Sequence, residues 1–395
     1  MTNILFYLPV VSERYFEWFV APLVRILVAD AEIHIVAPPQ WLATGVTERQ
    51  KALLADIENI QWHILDVEDH ESLRTSPADP EYVVKLIEAL NPNYVFCRSA
   101  DVSTPMLFPG KIRFMMESII PPFRLRSDLS SPLMLDGPRL YDQGFMPDLT
   151  LDQRHAIATR FRPRWEAVRA ETAPLQSARE QYLFEAGLPV DRKIIALPLN
   201  VEAQNNFFIK VHSITPSNIK LIDELASHLG DDFVLALTEH PLNRKGDPLV
   251  DQSVESLDPL IEKWRGKVIV VDASGPTGDA TTSLVQHSDG VVICESKSFG
   301  YAAFFQKPIF RVSKYRSADW MNAYLDFKLF LSDILKESAF VPVDDEAMLW
   351  FGYHWANNVF ALSDPKLTLE DIVDRFERPV NADRWAAGFD RIAAT

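Results

Sequence analysis

The chain has 395 residues, 47% hydrophobic and 24% charged, the balance of a globular protein longer than one hydrophobic core usually supports. Its formal charge of −16 argues against nucleic acid as a partner, because that binding depends on cations that neutralise phosphates. No apolar run approaches the roughly 20 residues of a membrane-spanning helix, and the two cysteines, Cys97 and Cys294, suit a reducing cytoplasm better than a disulfide framework.

The N-terminal "MTNILFYLPVVSERYF" has no basic region and no small-residue cleavage site, so it reads as a first strand and not as a signal peptide. Ser12 caps a following helix that turns Phe16, Phe19, Val20, Leu23, Ile26 and Leu27 toward a core. "AEIHIVAP" is a second strand, closed by prolines. "DPEYVVKLIEALNP" is a helix with Asp79 as cap and Pro80 at its first position, ending before Pro92. "YVFCRSA" and "KIRFMMES" follow as strands. This alternation predicts an α/β protein with mainly parallel sheets covered on both faces.

Residues 137–190 interrupt the rhythm with "DGPRLYDQGFMPD" and a helix carrying Arg154, Arg160, Arg162, Arg164 and Arg169. Those arginines read either as a solvated face or as a surface for anionic lipid or an anionic acceptor. The alternation restarts with "KIIALPLN", a helix from Ser217, "DFVLALTEHP", "GKVIVVDA", "GVVICES", the helix "SFGYAAFFQ" and "KPIFRV". Two Rossmann-like, doubly wound domains are therefore expected. Residues 1–175 form the first domain with its Arg-rich linker helix, and 176–362 form the second. In residues 363–395 a helix, with Thr368 and Asp371 at capping-box spacing, returns to the first domain.

In open α/β sheets, ligands bind beyond the carboxyl ends of the strands. One strand ends in His240-Pro241, trailed by Arg244 and Lys245; the histidine and the cations suit a phosphate, although His-Pro is equally an ordinary strand stop. Another ends in Ser296-Lys297-Ser298 before a helix, an anion site or a routine N-cap. Between them "DASGPTGDATT" places Gly275 and Thr277 where backbone can approach a base or ribose. In the first half, "FMMESIIPPF" ends an apolar strand in Glu117, a carboxylate suited to acid/base work or to an ion pair with Arg98, Arg113 or Arg124. Asp136 in "LMLDGP" reads as a turn residue, and Arg98, Ser99 and Asp101 as an acceptor-cleft lining. Walker A, strand-linked G-x-G-x-x-G and G-x-S-x-G motifs are absent, the nine histidines lack metal-ligand spacing, and no Asp-x-Asp motif appears. A nucleotide site held by protein cations, with no metal and no resident cofactor, follows as the expectation.

In their order along the chain, "MMESIIPPF", "LMLDGPRLYDQG", "LPLNVEAQNNFF", "TEHPLNRKG" and "CESKSFGYAAFFQKPIF" resemble segments of the bacterial capsular polysaccharide synthesis proteins. That group includes 3-deoxy-manno-oct-2-ulosonic acid (Kdo) transferases of the two-domain GT-B fold. The likeness covers roughly residues 90–315. Asn200 stands where the family has Gln, and Gln306 where Gly precedes Lys-Pro, which leaves donor identity and stereochemistry open.

The resemblance implies a cytoplasmic glycosyltransferase, in peripheral contact with the inner membrane or free of it. It would use a nucleotide sugar, a cytidine monophosphate (CMP)-activated ulosonic acid such as CMP-Kdo, and a polysaccharide or glycolipid acceptor. By the same resemblance Asn200, His240 and the Ser296–Ser298 turn hold the donor, and Glu117 is the catalytic carboxylate. Asp136 and Glu202 are candidates for the second carboxylate that a retaining reaction needs. A nucleotide-sugar 2-epimerase of similar two-lobed fold and a non-catalytic assembly partner are the other readings.

Overall fold

Apolar runs buried on both faces alternate with amphipathic helices, and they assemble into two sheets. The computed structural model describes residues 2–117, 121–137, 143–172, 176–202, 206–240, 256–272, 280–294 and 296–393. In the first lobe β1 (Thr2–Tyr7), β2 (Ala31–Ala37), β3 (Ile60–Ile64), β4 (Tyr94–Cys97) and β5 (Lys111–Glu117) run parallel, and β6 (Pro132–Asp136) runs antiparallel to β5. In the second lobe β7 (Lys193–Pro198), β8 (Phe233–Thr238), β9 (Val268–Val270), β10 (Gly290–Ile293) and β11 (Ile309–Arg311) are all parallel. The chain then returns, and β12 (Val359–Ala361) pairs antiparallel with β6.

The strand orders are β3-β2-β1-β4-β5-β6-β12 and β9-β8-β7-β10-β11. Each reverses once, between β1 and β4 and between β7 and β10. Such reversals open a crevice beyond the strand carboxyl ends. Both expected doubly wound lobes are present. β3, β6 and β12 are strands that the sequence pattern does not predict, and Asp136, expected in a turn, is the last residue of β6.

Local signals act as expected at the helix starts. Ser12 Oγ accepts from Tyr15 N at 3.2 Å, and Asp79 Oδ1 accepts from Tyr82 N at 2.9 Å ahead of Pro80. Thr368 and Asp371 exchange side-chain-to-backbone bonds of 3.2 and 3.0 Å.

The lobes meet through segments that follow strand carboxyl ends. Trp41, after β2, packs on Phe207, after β7, with ring centroids 5.6 Å apart. The Arg98 guanidinium, after β4, lies 5.4 Å from the Phe208 ring, and Tyr315 Oη, after β11, donates to Ala100 O at 2.9 Å. The two carboxyl edges therefore face each other, which is the GT-B arrangement.

The core is continuous between the lobes. Phe123 of the first lobe packs at 4.8 Å on Phe161 and at 5.9 Å on Phe304 of the second, and Trp165 packs at 4.8 Å on Phe304. Phe161 and Trp165 belong to the Arg-rich helix Leu151–Thr172, which turns Arg154, Arg162 and Arg169 toward the acidic first turn of the helix Asp344–Tyr353. Arg154 pairs with Glu346, Arg162 with Asp345 at 3.0 Å, and Arg169 grips both oxygens of Asp344 at 2.7 and 2.9 Å. This side of the helix is an intramolecular seam, not an open cationic face. Among the described residues no helix is long and apolar enough to cross a membrane.

Candidate active site between the facing sheet edges

Beyond the second sheet, β7 lies between β8 and β10, so the segments leaving β8 and β10 emerge about 10 Å apart. His240 stands two residues past β8, half-buried, and Lys297 follows β10. Burial, and secondarily the positive field of Lys297, hold the imidazole below its ordinary value of 6.5. The histidine and the lysine from separate strand ends thus share one electrostatic neighbourhood. Beside them Ser296 Oγ accepts from Ser298 Oγ at 2.8 Å and from Ser298 N at 3.3 Å, fixing the serine pair as one unit.

The segment after β7 is organised by its own polar contacts. Asn200 Nδ2 meets His212 Nε2 at 2.9 Å, and Asn200 O accepts from Asn218 Nδ2 at 2.9 Å. Glu202 Oε1 accepts from Asn218 N at 3.2 Å, which ties that carboxylate to the start of the helix Asn218–Ser227. Of the other candidates in this lobe, Pro241, Arg244, Lys245, Gly275 and Thr277 lie outside the described residues.

In the first lobe, Tyr7, Cys97, Phe114 and Asp136 stand level across β1, β4, β5 and β6. Tyr7 and Cys97 end their strands, so Asp136 lies at the carboxyl edge. Glu117 pairs with Leu133 three residues farther along β5, overhanging that edge by about 10 Å; its side chain lies outside the described residues.

The three acceptor candidates divide. Asp101 is 7% exposed, and its carboxylate accepts from Ser103 N at 2.7 Å and from Thr104 N at 3.3 Å. Ser99 Oγ accepts from Asp101 N at 3.0 Å. Both residues shape the turn. Arg98 faces the other lobe, its guanidinium 3.7 Å over the Tyr15 ring with Phe208 beyond.

Sequence reasoning missed Tyr15, Phe208 and Tyr315, which complete the seam, and His354 and Asn358, which meet Asp136. Asn358 Nδ2 donates to Asp136 Oδ1 at 3.3 Å, and His354 Nδ1 lies 3.9 Å from Asp136 Oδ2. The only signal for the last two was an unusual cluster of polar residues, "HWANN", inside an apolar segment.

No family model and no curated protein matches the sequence. Among solved structures, the chain is similar to the KpsC beta Kdo 2,7 transferase of Thermosulfurimonas dismutans, at 12% identity over 86% of this chain and 98% of that one, with a TM-score of 0.39. It is similar to a glycosyltransferase from Rickettsia africae, at 10% identity over 96% and 99% of the two chains, TM-score 0.35. Anabaena HepE, solved in complex with UDP and glucose, aligns at 10% identity over 90% and 95%, TM-score 0.32. All three scores lie below 0.5, so the two-lobed architecture rests on the strand orders and lobe contacts above.

Proposed function

We propose that this chain is a glycosyltransferase whose donor is a CMP-activated ulosonic acid and whose acceptor is a hydroxyl of a polysaccharide or glycolipid. One observation supports the reading: His240, Lys297 and the Ser296–Ser298 pair follow β8 and β10 at the carboxyl edge of one sheet, the edge on which the two lobes meet. A neutral imidazole, an ammonium and hydroxyls form a donor set for a phosphate oxygen. In transfer, the acceptor oxygen bonds to the anomeric carbon of the sugar. The bond from that carbon to the phosphate oxygen breaks, and its electron pair leaves with CMP. Lys297 and His240 stabilise the charge that develops there. The acceptor proton passes to a carboxylate of the first lobe, for which Glu117 and Asp136 are the candidates. Glu202 belongs to the second lobe, where its Oε1 accepts from Asn218 N.

A nucleotide panel tests this. CMP should raise the thermal midpoint of the protein more than uridine diphosphate (UDP) or guanosine diphosphate does, since a ligand that binds only the folded state stabilises it. Stabilisation by UDP and UDP-sugars alone would remove the CMP donor and favour an epimerase. Stabilisation by no nucleotide would remove the transferase reading.

A further inference from the structure

Asp136 has neighbours with no part in the scheme above. The π-helical turn His354–Asn358 joins the helix Asp344–Tyr353 to β12, and its polar residues are enclosed: His354 and Asn357 are 0% exposed and Asn358 is 5% exposed. Single π-turns are rare and recur at functional sites. This one sets the Asn358 amide between Asp136 and His354.

The hydrogen bonds leave the amide only one orientation. Asn358 Nδ2 donates to Asp136 Oδ1 at 3.3 Å and to His354 Nδ1 at 2.9 Å, while Asn358 Oδ1 accepts from Asn357 Nδ2 at 2.7 Å. Reversing the amide would set its oxygen against the carboxylate and two donors against each other. His354 Nδ1 is therefore an acceptor, and Nε2 carries the proton, donated to Phe145 O at 3.1 Å. Gly137 N gives Asp136 Oδ1 a second donor at 2.7 Å. Among the described residues, the other charged or titratable groups acting on this cluster are Arg113 of β5, Tyr353 at the end of the helix Asp344–Tyr353 and, behind them, Arg384.

We propose that Asn358 and His354 are positioning residues that hold the Asp136 carboxylate in a single orientation at the carboxyl edge of the first sheet. The proposal rests on the transferase reading, in which Asp136 is a candidate reacting carboxylate. Removing the Asn358 amide takes away one of the two donors that the described residues aim at Asp136 Oδ1 and leaves the carboxylate less firmly fixed. His354 acts one step back: as an acceptor it keeps the amide turned so that a donor, and not an oxygen, meets Asp136.

The test reads the carboxylate directly. In carbon-13 nuclear magnetic resonance of aspartate-labelled protein, with Asp136 assigned by Asp136→Asn, Asn358→Ala should displace and broaden the Asp136 carboxyl resonance. His354→Gln, which can still offer an oxygen to the amide, should leave it near its wild-type position. His354→Leu should displace it as Asn358→Ala does. If Asn358→Ala fails to fold, Asn358→Asp replaces it and, having no amide to donate, should displace the resonance too. In CMP release from CMP-Kdo, Asn358→Ala should lower kcat roughly tenfold, with the Kd for CMP unchanged. An unmoved Asp136 resonance overturns the positioning role, as does a fall in CMP affinity that tracks the loss of kcat. Failure of the wild-type chain to bind any nucleotide would instead sink the transferase reading, a result the carboxyl resonance does not depend on.

Discussion

His240 and His287 are both held below the ordinary histidine range, for different ends. His240 sits half-buried at the sheet edge under the field of Lys297, a neutral donor that an arriving phosphate would meet. His240→Ala should weaken CMP binding by roughly 10- to 100-fold, the usual loss for a hydrogen bond to a charged partner, with the folding midpoint almost unchanged. Calorimetric titration checks it, and an unaltered Kd would remove His240 from the site.

His287 is 3% exposed and stacks on Tyr182 with ring centroids 4.8 Å apart; burial first, then Lys307 and Arg179, bring it down to about 4. Its folded pKa is depressed, so the neutral form contributes stability that is complete above about pH 6.5 and is lost as pH falls toward 4. Between pH 7 and 4.5 that loss is about 2–3 kcal/mol. His287→Phe keeps a ring against Tyr182 and cannot titrate. Its urea midpoint should therefore fall less than the wild-type midpoint over the same interval, and equal falls would contradict the assignment. At this scale, His240 and the serine pair were legible because they directly follow apolar runs. His354 and Asn358 were not, because only the return of the chain across the first sheet brings them to Asp136, more than 200 residues away in sequence.

The strands that the pattern missed share physical reasons. β3 is an edge strand whose residues are half-buried or exposed, so "IQWHI" shows no buried face. β6 ends in Asp-Gly, a turn signature, and β12 is three residues long. The parallel strands were legible because continuous burial leaves continuous apolar runs; all six residues of β8 are buried. The loop at residues 143–145 shows what an element requires of one position. Gly144 has φ +73°, and a Cβ there would stand 2.6 Å from Met321 Sδ and 3.0 Å from Trp320 Cζ2, while Trp320 Nε1 donates to Gly144 O at 2.6 Å. Gly187 also has positive φ, +66°, but nothing lies within 4 Å of its Cβ position. Gly187→Ala should therefore cost only the backbone strain, about 1 kcal/mol. Gly144→Ala adds a clash at the lobe seam and should cost about 2–4 kcal/mol. Denaturant unfolding of the two variants side by side would show it, and equal losses would mean that the seam yields freely.

At the scale of the molecule, length alone argues for two independent units, yet the packing argues for one cooperative unit. The cluster holding Met116, Phe123 and Met134 of the first lobe also holds Phe161 and Trp165 of the connecting helix and Phe299 and Phe304 of the second lobe. Phe351 of the helix Asp344–Tyr353 closes it, 5.9 Å from Phe123 and 5.3 Å from Trp165. Neither lobe keeps its apolar surface covered if the other unfolds, because the rings at the seam are fully buried on both sides. Exposing one large aromatic side chain costs about 3 kcal/mol, so the two lobes should melt together. Differential scanning calorimetry should give a single transition whose calorimetric and van't Hoff enthalpies agree. Trp165→Ala, which empties the centre of the seam, should lower stability by about 3–5 kcal/mol and split that transition in two. A wild-type chain that already melts in two separated steps would show that the shared aromatic cluster does not couple the lobes. Motion of the facing edges during a catalytic cycle would then be free of the core rather than hinged upon it.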